Sequence, residues 1–194
     1  MFLSDPPLTD ELRTSFERAK AEDGYLANHT RLWAWRPDMD AAFLALRMRV
    51  ISTTSLSERE CALIVSAAVS TVRDSYCSLA WGTKLAGLIG DADATRVIKD
   101  RDPEALTARE RALARWVRKV VRDPNSTTRG DVDELRSAGL DDREIFEATL
   151  LAAYRLAFST VNAALGAAPD IELVEAAPVD LRGAVDFGRT APAR

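Results

Sequence analysis

The chain has 194 residues, of which 47% are apolar and 29% are charged. This length fits one ordinary domain, and the composition excludes a disordered chain, a collagen and a disulfide scaffold. The 26 basic and 30 acidic residues give a net charge of −4, without the basic excess typical of nucleic-acid binders. No apolar run approaches the roughly 18 residues of a membrane helix, and the first residues lack the pattern of a signal peptide. We therefore expect a soluble, cytoplasmic protein that binds neither nucleic acid nor membrane.

Helical periodicity dominates and strand patterns are nearly absent, so the sequence predicts an all-α fold. A first helix runs from Thr9 to about Ala21, and a second from Met39 to about Ile51. Further helices are predicted at 58–72, 76–89, 92–99, 108–122, 129–138 and 142–165. The whole is interpreted as one domain, with an N-terminal helical segment (1–55), a helical core (56–166) and a C-terminal tail or arm (167–194). The apolar residues of the tail suggest that it docks on something, such as a neighbouring subunit.

Three of these helices begin with the same signal. Each N-cap residue is followed three positions later by a glutamate that can reach back to the backbone N–H of the cap, in the pairs Ser57/Glu60, Thr107/Glu110 and Asp141/Glu144. Three separate N-terminal capping boxes are enough to explain the similarity. A shared segment of about five residues is too short to prove an internal duplication.

A basic stripe follows one face of the predicted helix at 108–122. Its members lie three or four positions apart, at Arg111, Arg115, Arg118 and Arg122. The stripe is either an anion-binding surface or a solvated face paired with acids on neighbouring helices. We favour the solvated face, because surface ion pairs are common and weak.

Few residues in this chain can carry metal or redox chemistry. His29 is the single histidine, and the acidic residues show no metal-loop spacing, so we expect no metal site and no cofactor. The two cysteines, Cys61 and Cys77, are each interpreted as a buried hydrophobic residue or a reactive thiol, since a cytoplasmic disulfide is not expected.

Cys77 lies in the most informative stretch, Val72 to Gly82. It falls in the first turn of a predicted helix, where the helix dipole and unpaired N–H groups favour a thiolate. Asp74, the expected N-cap, would oppose this effect with its negative charge. An inert cysteine that fills space between helices remains the alternative.

Together with several other short motifs, this stretch makes the chain resemble a known family. The pattern includes Arg59-Glu60, Tyr76-Cys77, Thr127 to Val132, Leu135 to Leu140 and Asn162 to Gly166, with Asn28 and Arg36-Pro37 upstream. It is similar to the carboxymuconolactone decarboxylase / alkylhydroperoxidase-D-like superfamily, in its peroxidase-related branch, over about residues 15–170. The resemblance implies an all-α helical bundle that assembles into trimers or hexamers, and peroxiredoxin-type peroxide reduction as its activity.

Redox-active members of this family use two cysteines, a histidine and a glutamate. The first cysteine position corresponds here to Asp74, the second to Cys77, the histidine position to Trp81 and the glutamate position to Ala62. A cysteine peroxidase needs a thiolate that attacks the peroxide, a route for protons, and a second thiol that converts the resulting sulfenic acid into a disulfide. With one of four groups present, we expect peroxide reduction to be weak or lost and to depend on an external thiol reductant.

No neighbouring residue in the sequence is a good replacement for the missing cysteine, histidine or glutamate. Glu60 faces away from the glutamate position and is used in a capping box, and Cys61 is too far along its helix to form a disulfide with Cys77. His29 lies in the N-terminal segment and is interpreted as structural or surface. A pocket of Tyr76, Cys77 and Trp81 suits an apolar or aromatic molecule better than a peroxide, although Trp81 as a core residue is the simpler interpretation. The alternative function is therefore a non-redox, small-molecule-binding or structural oligomer on the same fold.

Overall fold

The computed structural model describes residues 1–191. Over that range the chain forms eleven α-helices and a short 3-10 turn at Pro124–Ser126, without a strand. The all-α prediction is confirmed. The helices are α1 (Asp10–Asp23), α2 (Asn28–Trp33), α3 (Pro37–Thr53), α4 (Glu58–Thr71), α5 (Ser75–Ile89), α6 (Asp91–Ile98), α7 (Ala108–Arg122), α8 (Arg129–Ser137), α9 (Asp142–Ala164), α10 (Ile171–Ala176) and α11 (Val179–Ala184).

Helix α4 is the centre of the core. Its residues from Glu60 to Ser70 are all buried, and it packs against α5, α6, α7 and α9. A helix that is apolar on nearly every side must be surrounded by other elements. The other helices therefore form a shell around α4, and α5 is held against it by the turn at Val72–Asp74.

The predicted capping boxes are present. The side chains of Ser57, Thr107 and Asp141 each accept a hydrogen bond from the backbone N–H of the glutamate three residues later. The side chain of that glutamate accepts a hydrogen bond from the backbone N–H of the cap residue. Thr128 and Asp131 form a fourth box at the start of α8. Because these contacts lie within one turn of helix, the sequence places the helix starts well.

The basic stripe of α7 is paired with acids, as favoured from the sequence. Arg118 and Arg122 contact Asp100 in the loop after α6, and Arg118 also contacts Asp102 at 2.8 Å. Arg115 lies 3.9 Å from Asp102. These ion pairs fasten the loop to α7, while Arg111 donates a hydrogen bond to the carbonyl oxygen of Leu106.

The C-terminal segment differs from the predicted tail or arm. It folds as α10 and α11 and packs on α5 and α6 of its own chain. Leu181 is fully buried against Gly82, where an added Cβ would lie 2.9 Å from the leucine. The apolar residues of this segment therefore have a partner within the chain and no longer argue for a neighbouring subunit. Residues 192–194 of the predicted tail lie outside the described residues.

Helix α2 is not predicted from the sequence, because its six residues form fewer than two turns and have no side-chain cap. Its position against α3 and α9 matters for the site described below. No helix among residues 1–191 is both long enough and apolar enough to cross a membrane.

Candidate functional site

Cys77 lies at the start of α5, as predicted, but it is enclosed. Its side chain is 2% exposed, and Asp74 caps the helix by accepting the backbone N–H of Cys77 at 3.2 Å. The sulfur receives a hydrogen bond from Nη2 of Arg155, on α9, at 3.1 Å. The motif around Cys77 does not indicate Arg155, which is 78 residues away in the chain.

The environment of Cys77 favours the protonated thiol. Burial raises the pKa of Cys77 to about 12, because a thiolate loses its hydration there; Arg155 opposes this shift, and the charge of Asp74 adds to it. The effect of burial exceeds that of the helix N-terminus, which alone would favour thiolate. Burial likewise raises the pKa of Cys61 to about 11, and neither cysteine is in a disulfide.

The positions of the family's proton-transfer residues hold no proton acceptor. Ala62 is fully buried on α4. Trp81 is partly buried and packs between two clusters of the core. Its ring also lies 5.3 Å from the guanidinium of Arg155, 5.5 Å from the ammonium of Lys84 and 5.9 Å from the guanidinium of Arg47. Trp81 thus combines core packing with a platform for cations.

His29 approaches the start of α5, contrary to its interpretation as a structural or surface residue. Its Nδ1 lies 2.9 Å from the hydroxyl of Tyr76, the residue before Cys77. The Tyr76 hydroxyl in turn donates a short hydrogen bond to Asp170, whose other oxygen accepts the backbone N–H of Asn28 at 2.9 Å. The fold therefore brings a histidine, a tyrosine and an aspartate into one hydrogen-bonded chain.

A cavity of about 250 Å³ lies between α1, α2, α3 and α9. Its wall includes His29 and three aromatic side chains, Phe43, Tyr154 and Phe158. The rings of Phe43 and Tyr154 are 5.1 Å apart and those of Phe43 and Phe158 are 6.5 Å apart. The volume lies below the roughly 300–1,000 Å³ of drug-sized pockets, so the cavity suits a molecule about the size of one aromatic ring.

Charged side chains of both signs line this cavity. The cationic residues are Arg18, Arg47 and Arg155, and the acidic residues are Glu22, Asp23 and Asp40. Glu22, Asp23 and Arg18 are exposed, and burial raises the pKa of Asp40. Arg155 is buried and Arg47 is half-buried. The buried and half-buried part of the wall therefore holds two guanidiniums, Arg47 and Arg155, and one carboxyl group, Asp40, and the exposed rim carries both charges.

Arg47 and Arg155 differ from most other arginines of the chain. The Nε atom of each is buried without a hydrogen-bond partner, and no carboxylate among residues 1–191 forms an ion pair with either side chain. Both guanidiniums pack over aromatic rings instead, Arg155 at 4.9 Å from Phe158. A buried cation without a counter-charge is costly.

The fold has been solved in other proteins. A peroxidase-related protein from Ralstonia eutropha JMP134, described as an alkylhydroperoxidase AhpD core, has a TM-score of 0.76 and 22% identity, covering 89% of this chain and 93% of its own. A peroxidase-related protein from Silicibacter sp. TM1040 has a TM-score of 0.77 and 23% identity, with the same coverage. This chain has the AhpD-core fold.

A third solved structure with this fold is a debrominase. It is a cysteine-to-alanine variant of Bmp8 in complex with 2,3,4-tribromopyrrole, with a TM-score of 0.71 and 16% identity over 96% of this chain and 97% of its own. No protein-family model and no curated protein matches the sequence. The AhpD-core fold therefore occurs in proteins of different description, and the fold alone does not specify a function.

The structure separates the predicted site residues into two groups. Tyr76, Cys77 and Trp81 lie along the start of α5 and are linked through Arg155 and His29 to the cavity. Ala62 and Asp74 contribute a core contact and a helix cap. Arg155, Asp170 and Arg47 were missed, since each lies far from the Cys77 motif in the sequence.

Proposed function

We propose that this protein binds a small planar organic anion in the cavity between α1, α2, α3 and α9, without turning over peroxide. The observation that carries the proposal is the pair of guanidiniums, Arg47 and Arg155, whose Nε atoms are buried without partners in the cavity wall. An anionic group would neutralise their charge and accept their unused N–H groups.

The rest of the cavity favours an aromatic ligand. The rings of Phe43, Tyr154 and Phe158 offer flat apolar surface beside the two cations, and aromatic rings pack well against such surfaces. The debrominase with the same fold was solved with a planar ring compound, which supports this class of ligand. An aromatic carboxylate with a single ring fits both the charge and the volume.

Peroxide reduction by Cys77 alone is the second candidate, favoured by the hydrogen bond from Arg155 to its sulfur. A guanidinium in this position stabilises a thiolate once it forms. Against this candidate, burial raises the pKa of Cys77 to about 12, Trp81 and Ala62 supply no proton acceptor, and an external thiol would have to clear the sulfenic acid. We therefore place binding first.

Self-association is a further part of the proposal. Helix α3 exposes Met39, Leu44, Leu46 and Met48, and α9 exposes Phe146 to 66%. These residues are exposed on two helices that contact each other, and exposed apolar residues are typical of contact surfaces. We infer that a second copy of this chain covers this α3/α9 face, as the family resemblance implies.

Calorimetric titration with benzoate tests the binding proposal. We expect saturable binding to the wild-type protein, and affinities at least about tenfold lower for Arg47→Met and for Arg155→Met, because a charged hydrogen bond is worth about 1.5–3 kcal/mol. Arg49→Met is the matched control, since Arg49 lies on the same helix and is exposed; it should bind as the wild type does.

Cyclohexanecarboxylate provides the matched ligand, with the same charge on a ring that is not flat. It should bind more weakly than benzoate. An absence of benzoate binding, or equal losses in Arg49→Met and Arg155→Met, would contradict the proposal.

A further inference from the structure

We propose that the ligand of this cavity carries a hydroxyl or ring N–H group besides its anionic group, and that Nε2 of His29 accepts a hydrogen bond from it. This inference rests on the proposed function and names the ligand class more closely. It is carried by the hydrogen-bonded chain from His29 through Tyr76 to Asp170, which fixes the position of the proton on the imidazole.

The direction of the hydrogen bonds follows from counting protons. Burial raises the pKa of Asp170, while the hydrogen bonds that it accepts lower it. In its ionised form the carboxylate accepts twice, from the Asn28 backbone N–H at 2.9 Å and from the hydroxyl of Tyr76. The single hydroxyl proton of Tyr76 is used in that bond, so the tyrosine oxygen must act as the acceptor towards His29 at 2.9 Å. Nδ1 of His29 therefore carries the proton.

A neutral imidazole with its proton on Nδ1 has a bare lone pair on Nε2. Burial lowers the pKa of His29 to about 4, and the nearby charges of Arg155 and Arg47 lower it in the same direction, so the ring is neutral at pH 7. His29 lines the cavity. Its Nε2 has no hydrogen-bond partner among the described residues and is not fully enclosed, so it is free to accept from a ligand.

The cavity therefore presents two kinds of group to a ligand. Arg47 and Arg155 offer cationic donors, and His29 offers an acceptor. An aromatic carboxylate with a hydroxyl or ring N–H matches both, whereas one without a donor leaves the lone pair of His29 desolvated and unsatisfied. A site built to receive a hydrogen bond discriminates against analogues that lack the donor.

The test compares 3- and 4-hydroxybenzoate with 3- and 4-methoxybenzoate by calorimetric titration at pH 7. The methoxy group keeps the oxygen but cannot donate. We expect at least one hydroxy isomer to bind the wild-type protein about tenfold more tightly than its methoxy counterpart. Benzoate serves as the reference for the anion-binding part of the site.

Two variants assign the preference to His29. His29→Phe keeps an aromatic ring but removes Nε2, and Tyr76→Phe removes the hydroxyl that fixes the proton on Nδ1. Both should lose most of the preference for the hydroxy ligand over its methoxy counterpart. Thr53→Val is the control, because Thr53 is exposed at the end of α3 and does not line the cavity; it should keep the preference.

The outcomes separate this inference from the proposed function. Benzoate binding with equal affinities for the hydroxy and methoxy ligands, or with a preference for the methoxy ligands, would overturn the inference and leave anion binding intact. A preference that survives in both His29→Phe and Tyr76→Phe would overturn it as well. Failure of the wild-type protein to bind any of these carboxylates would overturn both proposals.

Discussion

Arg155 donates a hydrogen bond from Nη2 to the sulfur of Cys77 across 3.1 Å, and the same side chain lines the cavity. The cysteine, at 2% exposure, therefore lies behind the guanidinium that we propose binds the ligand anion. Trp81 and Phe158 pack against this guanidinium at 5.3 and 4.9 Å. Arg155 thus links the thiol of the family motif to the cavity.

Peroxide consumption should be slow and should depend little on Cys77. The thiol is protonated at neutral pH, because burial raises its pKa to about 12, and only the thiolate attacks peroxide efficiently. We expect similar, near-background rates for the wild-type protein, Cys77→Ser and the control Cys61→Ser, in an assay with a dithiol-protein reductant and mass spectrometry for oxidised cysteine. Fast turnover lost only in Cys77→Ser would favour the single-cysteine peroxidase.

Arg155→Met should stabilise the ligand-free protein while it weakens benzoate binding. Replacement of a buried charge that lacks a carboxylate partner by an apolar side chain of similar length removes a desolvation cost. We expect a gain of about 1–2 kcal/mol in the free energy of unfolding, measured by urea denaturation. A loss of stability would mean that the contacts of Arg155 with Cys77, Trp81 and Phe158 outweigh the cost of burying its charge.

Because His29 is buried in its neutral form, the free energy of unfolding should fall as the pH is lowered from 6.5 towards 4. The pKa of His29 is lowered to about 4 in the folded protein, mainly by burial, from 6.5. The unfolded chain therefore binds the proton more tightly, and the stabilisation present above pH 6.5 is lost as the pH falls.

Between pH 7 and pH 5 we expect His29 to account for a loss of about 2 kcal/mol. Urea denaturation at both pH values measures this loss. Between the two pH values, the free energy of unfolding of His29→Phe should fall by about 2 kcal/mol less than that of the wild-type protein. An identical pH dependence of the two proteins would show that His29 is not held in its neutral form.

Gly188→Ala should destabilise the C-terminal segment. Gly188 has a φ of +71°, and an added Cβ would lie 2.8 Å from both the Arg73 carbonyl oxygen and the Ser75 hydroxyl. The left-handed conformation alone costs a residue with a side chain about 1–2 kcal/mol. Gly183→Ala, in α11 with nothing within 4 Å of the added Cβ, is the control and should be neutral or stabilising by about 0.5–1 kcal/mol. Equal unfolding midpoints in urea for the two variants would contradict the expectation.

Sedimentation velocity should show a species larger than the 21.3 kDa monomer at micromolar concentration. Phe146→Lys, which places a charge on the α3/α9 face, should shift the protein towards the monomer. Val179→Lys is the control, because Val179 is an apolar residue of similar exposure, at 72%, on α11. A monomeric wild-type protein would rule out the proposed self-association.

The sequence alone determined the helices and their starts. Capping boxes such as Ser57/Glu60 and Asp141/Glu144 act within one turn, so they are readable from residues three positions apart. The same holds for the place of Cys77 in the first turn of α5, capped by Asp74. The resemblance carried by the motif around Cys77 also predicted the helical fold that this chain shares with the solved structures.

Only the tertiary structure decided which groups meet at the site. His29 and Tyr76 are 47 residues apart, Tyr76 and Asp170 are 94 apart, and Cys77 and Arg155 are 78 apart. A local pattern does not specify such pairs, because they arise when α2, α9 and the loop before α10 pack around α5. The same packing buried Cys77, raised its pKa and overrode the thiolate character that its position in the helix predicts.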